Sequence, residues 1–113
     1  MMTRAIDKVE RCSSMAQVRA RIDALDDILV PLLVERGGYM TQAALNKQRE
    51  SQVRDEARIE FIVARVRERA LAEGGEPAVI EAIYRSMMET YIAYEHGEFA
   101  RLVEQGAKKG AAE

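Results

Sequence analysis

Tryptophan is absent from this chain, and cysteine and histidine occur once each, as Cys12 and His96. A lone cysteine makes no internal disulfide and fits a reducing compartment. One histidine with no Cys/His cluster leaves no ligand set for structural zinc, so no metal is expected. There are only two prolines, Pro31 and Pro77, and most glycines fall in the pairs Gly37-Gly38 and Gly74-Gly75. The stretches between these breakers are long and lack the period-two alternation of strands, which argues against a β architecture. No apolar run approaches the ~20 residues that span a bilayer. The stretch Met1 to Lys8 has no apolar secretory core, so a cytoplasmic location is expected. A net charge of −2 supplies no global attraction for nucleic acid or an anionic membrane, and any anion preference must come from local clustering.

What is present is a globular composition, 48% hydrophobic and 32% charged, over 113 residues. That length suggests one domain, 1–113, with a core from about 15 to 104 and flexible ends at 1–13 and 105–113. Three helices are expected. Ser13 or Ser14 caps the first, which runs from about Met15 to Lys47. Pro31 removes one hydrogen bond and Gly37-Gly38 lowers propensity, but the apolar phase passes through both, so a long kinked helix is expected. Gln48 to Arg54 reads as a loop. Asp55 caps a second helix ending near Ala72, with Ile59, Ile62, Val63, Val66 and Ala70 as its stripe. Gly74-Gly75 ends it, and Pro77 opens a third helix that runs to about Glu104. The tail from Gly106 to Gly110 is expected to fray. Helix one alone is about 45 Å long at 1.5 Å per residue. Two shorter helices cannot cover it, so a dimer packing helix one against its mate is expected.

Three cations interrupt the apolar stripe of helix one. Ile22, Leu25, Leu29 and Leu32 or Leu33 recur at helical spacing. Stepping back by three gives Arg19, and stepping forward gives Arg36, Met40, Ala43 and Lys47. Taken singly, each cation reads as a long side chain snorkelling at a rim. Glu95 lies in the apolar face of helix three with Met88, Tyr91, Phe99 and Leu102. An acid there either pairs with a cation or keeps its proton. Taken together with Arg58, these groups describe a pocket for a small dianion, with charge-assisted and bidentate carboxylate contacts available. Met40, Met87 and Met88 read as core filler, His96 as a pocket-edge or solvent residue, and Arg65 to Arg69 as a solvated face with local ion pairs.

The stretch Val18-Arg19-Ala20-Arg21-Ile22-Asp23-Ala24-Leu25-Asp26, then Leu32-Leu33-Val34-Glu35-Arg36, with Lys47 eleven residues on, resembles the opening of the all-helical (AroQ-type) chorismate mutases. Val53-Arg54-Asp55-Glu56-Ala57-Arg58 matches the family's next block. Met87 to Glu95 matches the last, which ends in a substrate-facing Glu or Gln. The resemblance covers about Met15 to Leu102. It implies an intertwined all-α homodimer with two sites, each built from both chains, and no cofactor. By this carry-over Arg19 reaches the partner's site, while Arg36 and Arg58 hold the carboxylates of chorismate. Lys47 and Glu95 are the catalytic pair at the ether oxygen, and the backbone at Asp55 lies near the ring hydroxyl. The chemistry is a pericyclic rearrangement to prephenate. The protein must hold a compact substrate conformer and stabilise charge growing on the ether oxygen. With a glutamate in this role, turnover is expected to fall as Glu95 ionises.

Two positions depart from the pattern. Ile59 replaces a glutamate that normally contacts the ring hydroxyl, and Tyr91 replaces a small polar residue. Both changes resemble the isochorismate pyruvate lyases, relatives that release salicylate and pyruvate. Pro31 and Gly37-Gly38 also depart from the usual first helix. The first reading is a chorismate mutase and the second such a lyase. The third is a non-catalytic helical dimerisation or regulatory module.

Overall fold

The computed structural model describes residues 4–108. The expectations for Met1 to Thr3 and for Lys109 to Glu113 lie outside the described residues. Three α-helices carry the fold: α1 (Met15–Asn46), α2 (Glu56–Ala72) and α3 (Pro77–Glu104). Two short 3-10 turns flank them, Ala5–Lys8 before α1 and Glu50–Gln52 between α1 and α2. Among the described residues there is no strand.

The helix ends follow local chemistry. Ser14 Oγ accepts the Gln17 amide at the start of α1, and Asp55 Oδ1 accepts the Arg58 amide at the start of α2. Helix α2 ends at Gly74, whose φ of 81° suits a residue without a Cβ, and the Gly75 amide bonds back to Ala70. Ile6 uses the same absence. A Cβ on Gly74 would lie 2.4 Å from its Cγ2, and the Ile6 amide donates to the Glu73 carbonyl at 3.2 Å. The segment before α1, expected to be flexible, therefore docks on the α2–α3 turn. Pro77 occupies the first turn of α3, where no amide is needed. Pro31 is accommodated inside an unbroken α1. Asp27, whose carbonyl forfeits a partner there, is solvent-exposed, so water can replace the lost bond.

Helix α3 packs against both α1 and α2 and forms the centre of the molecule. Two small apolar clusters hold it there. One joins Ala44, Val53, Phe99 and Leu102, and the other joins Ile59, Val63 and Met88. Ile92 packs against both. At its C-terminus, α3 closes with Gly106 at φ 71°, and the chain turns back so that Lys108 Nζ donates to the Lys47 carbonyl at 2.5 Å over the Phe99 ring. The tail was expected to fray from Gly106, but up to Lys108 it caps the end of α1. The reason is the pairing of a cation with a helix C-terminal carbonyl.

The apolar stripe in the first half of α1 is left open, although Arg21 beside it pairs with Glu10. Ile22, Leu25, Ile28, Leu29 and Leu32 are 48–64% exposed. The chain is accordingly elongated, 57 × 27 × 24 Å, with a radius of gyration of 18.1 Å. A compact chain of this length would measure about 13 Å.

Candidate active site

The pocket lies where the second half of α1, the start of α2 and the middle of α3 converge, a cleft of about 350 Å³. Helix α1 and its C-cap line it with Arg36, Met40, Ala43 and Lys47, at four-three-four spacing. Asp55, Arg58, Ile59 and Ile62 line it from the second helix and its cap. Met88, Tyr91, Ile92 and Glu95 line it from α3, again one face. The fold thus brings together every expected site residue except Arg19. That residue is exposed and lies seventeen positions before Arg36, about 25 Å away along the helix.

At the floor of the cleft Lys47 Nζ donates to Glu95 Oε2 at 2.7 Å and to the Val53 carbonyl at 3.3 Å. Glu95 is 3% exposed and is the one buried charged residue among those described. The cation that a buried acid calls for is therefore present, as Lys47. The ammonium keeps a third proton and is about a quarter exposed, so it can reach a ligand from this anchored position.

The arginines of the cleft are charged and uncommitted. Among the described residues neither Arg36 nor Arg58 makes an ion pair, and each stacks on an aromatic ring instead. Arg36 lies 5.1 Å from the centroid of Tyr91 and Arg58 5.2 Å from that of Phe61. Other arginines packed along α2 and α3 are neutralised. Arg54 pairs with Glu56 and Glu89, Arg85 with Glu60 and Glu81, and Arg67 with Glu81. Stacking leaves the guanidinium edge free for a carboxylate, which is the arrangement an anion site requires.

The remaining positions have other tasks as well. The Asp55 side chain is occupied in capping α2, and its carbonyl accepts the Ile59 amide. Ile59 is buried and packs with Val63 and Met88, giving the cleft an apolar wall. The Tyr91 hydroxyl donates to the Leu33 carbonyl. His96 does not line the cleft and lies 3.2 Å from Glu50. Val53 was not foreseen. It is 3% exposed, follows the 3-10 turn at Glu50–Gln52 as its C-cap, and its carbonyl holds Lys47.

A helical cleft holding uncommitted arginines above a buried lysine–glutamate pair defines a class of anion-binding α-helical site. The family model for chorismate mutase type II matches residues 18–96, and the chain belongs to that family. A comparison with curated proteins finds no match. Membership carries chorismate mutase-type chemistry and a chorismate-type substrate at the level of the family. No helix among the described residues is long and apolar enough to cross a membrane.

Proposed function

We propose that this protein is a chorismate mutase acting as a homodimer, with Lys47 and Glu95 as its catalytic pair. The observation that carries the reading is the Lys47–Glu95 pair at the floor of a cleft whose arginines have no acidic partner. Arg36 and Arg58 bind the two carboxylates of the substrate and hold its enolpyruvyl arm over the ring, so that the new carbon–carbon bond forms as the ether bond breaks. Negative charge grows on the ether oxygen in that transition state. The Lys47 ammonium, held by Glu95 and the Val53 carbonyl, is directed at it. Arg19 completes the site from the partner chain. The bare apolar face of α1 and the elongated shape support that assembly.

A second reading has its own observation. Ile59 gives the cleft an apolar wall at the position where a mutase offers an acid to the ring hydroxyl, which favours isochorismate as substrate and elimination of pyruvate. The test is to incubate the purified protein with each acid separately and resolve the products, with Lys47→Ala as control. Prephenate from chorismate, lost in the variant, is the expected result. Salicylate and pyruvate from isochorismate alone make it the lyase. No product from either, with no rise in melting temperature on adding a small dicarboxylate, leaves a non-catalytic helical module.

A further inference from the structure

Gly37 and Tyr91 fill one space between them. Gly37 is buried in the middle of α1. A Cβ there would lie 3.2 Å from Tyr91 Cε1, tighter than an unstrained contact, and 3.7 Å from its hydroxyl oxygen, an ordinary one. Gly38, beside it, has nothing within 4 Å of its missing Cβ, so the close approach belongs to Gly37 alone. The Tyr91 hydroxyl donates to the carbonyl of Leu33, one turn before Gly37 on the same face. The ring is therefore seated along the turn from Leu33 to Gly37, and the guanidinium of Arg36, which lies on that turn, stacks on it.

We infer that Tyr91 is the positioning residue for Arg36, with Gly37 supplying the room for its ring. This rests on the reading of Arg36 as a carboxylate-binding group. The tyrosine hydroxyl is engaged by the helix backbone rather than pointed at a ligand, and the ring fixes the guanidinium plane. Arg36 has no acid to orient it, so without the ring its long side chain has many rotamers to lose on binding. Tyr91 and Gly37 are one matched pair. The large residue on α3 is tolerated because the small one is on α1.

The test combines kinetics with a resonance that needs no substrate. Using whichever of chorismate or isochorismate the protein turns over, Tyr91→Leu is expected to raise KM several-fold with kcat little changed, and Tyr91→Phe to raise it less. Gly37→Ala is expected to raise KM in the wild type and to add nothing in the Tyr91→Leu background, and Tyr91→Leu to add nothing to Arg36→Lys. In the free protein, the Arg36 Nε–H resonance, assigned by its loss in Arg36→Lys, is expected to carry a ring-current shift. That shift is kept in Tyr91→Phe and lost in Tyr91→Leu. Circular dichroism confirms that each variant is folded. Independent, multiplying effects of Tyr91 and Arg36 on KM overturn the inference, as does a fall in kcat alone. If the wild type turns over neither acid, the functional reading fails. The resonance then decides, and an Nε–H signal that Tyr91→Leu does not move overturns the inference.

Discussion

Lys47 does two things in the free protein. It presents a cation to the cleft, and it neutralises the buried Glu95. Its removal therefore has two separable effects. Lys47→Ala is expected to cut turnover by about 10²–10³-fold, the usual consequence of losing a donor aimed at developing charge. It is also expected to destabilise the fold by about 3 kcal/mol, because one buried charge is left unpaired. The double variant Lys47→Ala/Glu95→Gln should recover most of the stability and none of the activity. Denaturant melts and initial rates on the same preparations check this. A double variant no more stable than Lys47→Ala would show that Glu95 is not held by charge pairing. The two residues were legible in the sequence because each sits in phase with an apolar helical stripe, and a charge in such a face must be answered by another. The seating of Tyr91 was not legible. Its bond to Leu33 joins residues 58 apart and depends on how closely α1 and α3 cross, which Gly37 decides and periodicity does not reveal.

The contact between α1 and α3 has a polar clasp beside its apolar one. Thr41 on α1 donates to Glu98 on α3 at 2.7 Å, and Arg101 holds the same carboxylate. The Arg101 guanidinium, then the Thr41 hydroxyl, stabilise the charged form and draw the Glu98 pKa down to about 2 from an ordinary 4.5. A carboxylate depressed in the folded state contributes stability that is complete above about 4.5 and lost as pH falls towards 2. Glu98→Gln should therefore melt below the wild type at neutral pH, and the gap should close across that acid window. A gap unchanged from neutral pH to pH 2 would sink the assignment. The helices themselves could be read with their caps, since Ser14, Asp55, Gly74 and Pro77 each have one local task that their chemistry announces. The 3-10 turn at Glu50–Gln52 and the return of Lys108 to the end of α1 could not. The turn closes on a Gln52 side chain that accepts the Gln48 and Arg49 amides, a cap outside the usual Ser/Thr/Asp signals, and the return of Lys108 is fixed by a contact 61 residues away.

At the scale of the whole molecule, the stripe of α1 divides into two functional halves. From Arg36 to Lys47 it lines a cleft within its own chain, while from Ile22 to Leu32 it is bare. Burying apolar area of this extent against a second copy would stabilise both chains, and it would carry Arg19 away from its own cleft toward the partner's. Sedimentation should therefore give a two-chain mass, and Leu25→Glu/Leu29→Glu should reduce it to one chain and abolish turnover together. A sharper test uses complementation. Arg19→Ala and Lys47→Ala homodimers should each be inactive, since every site lacks one group. Unfolded together and refolded at equal amounts, half the dimers should be mixed. Each mixed dimer holds one site with both residues intact and one with neither, so activity should return to roughly a quarter of wild type. If Arg19 served the cleft of its own chain, or none, no mixed dimer would contain a repaired site. The refolded mixture would then be no more active than the average of its parents.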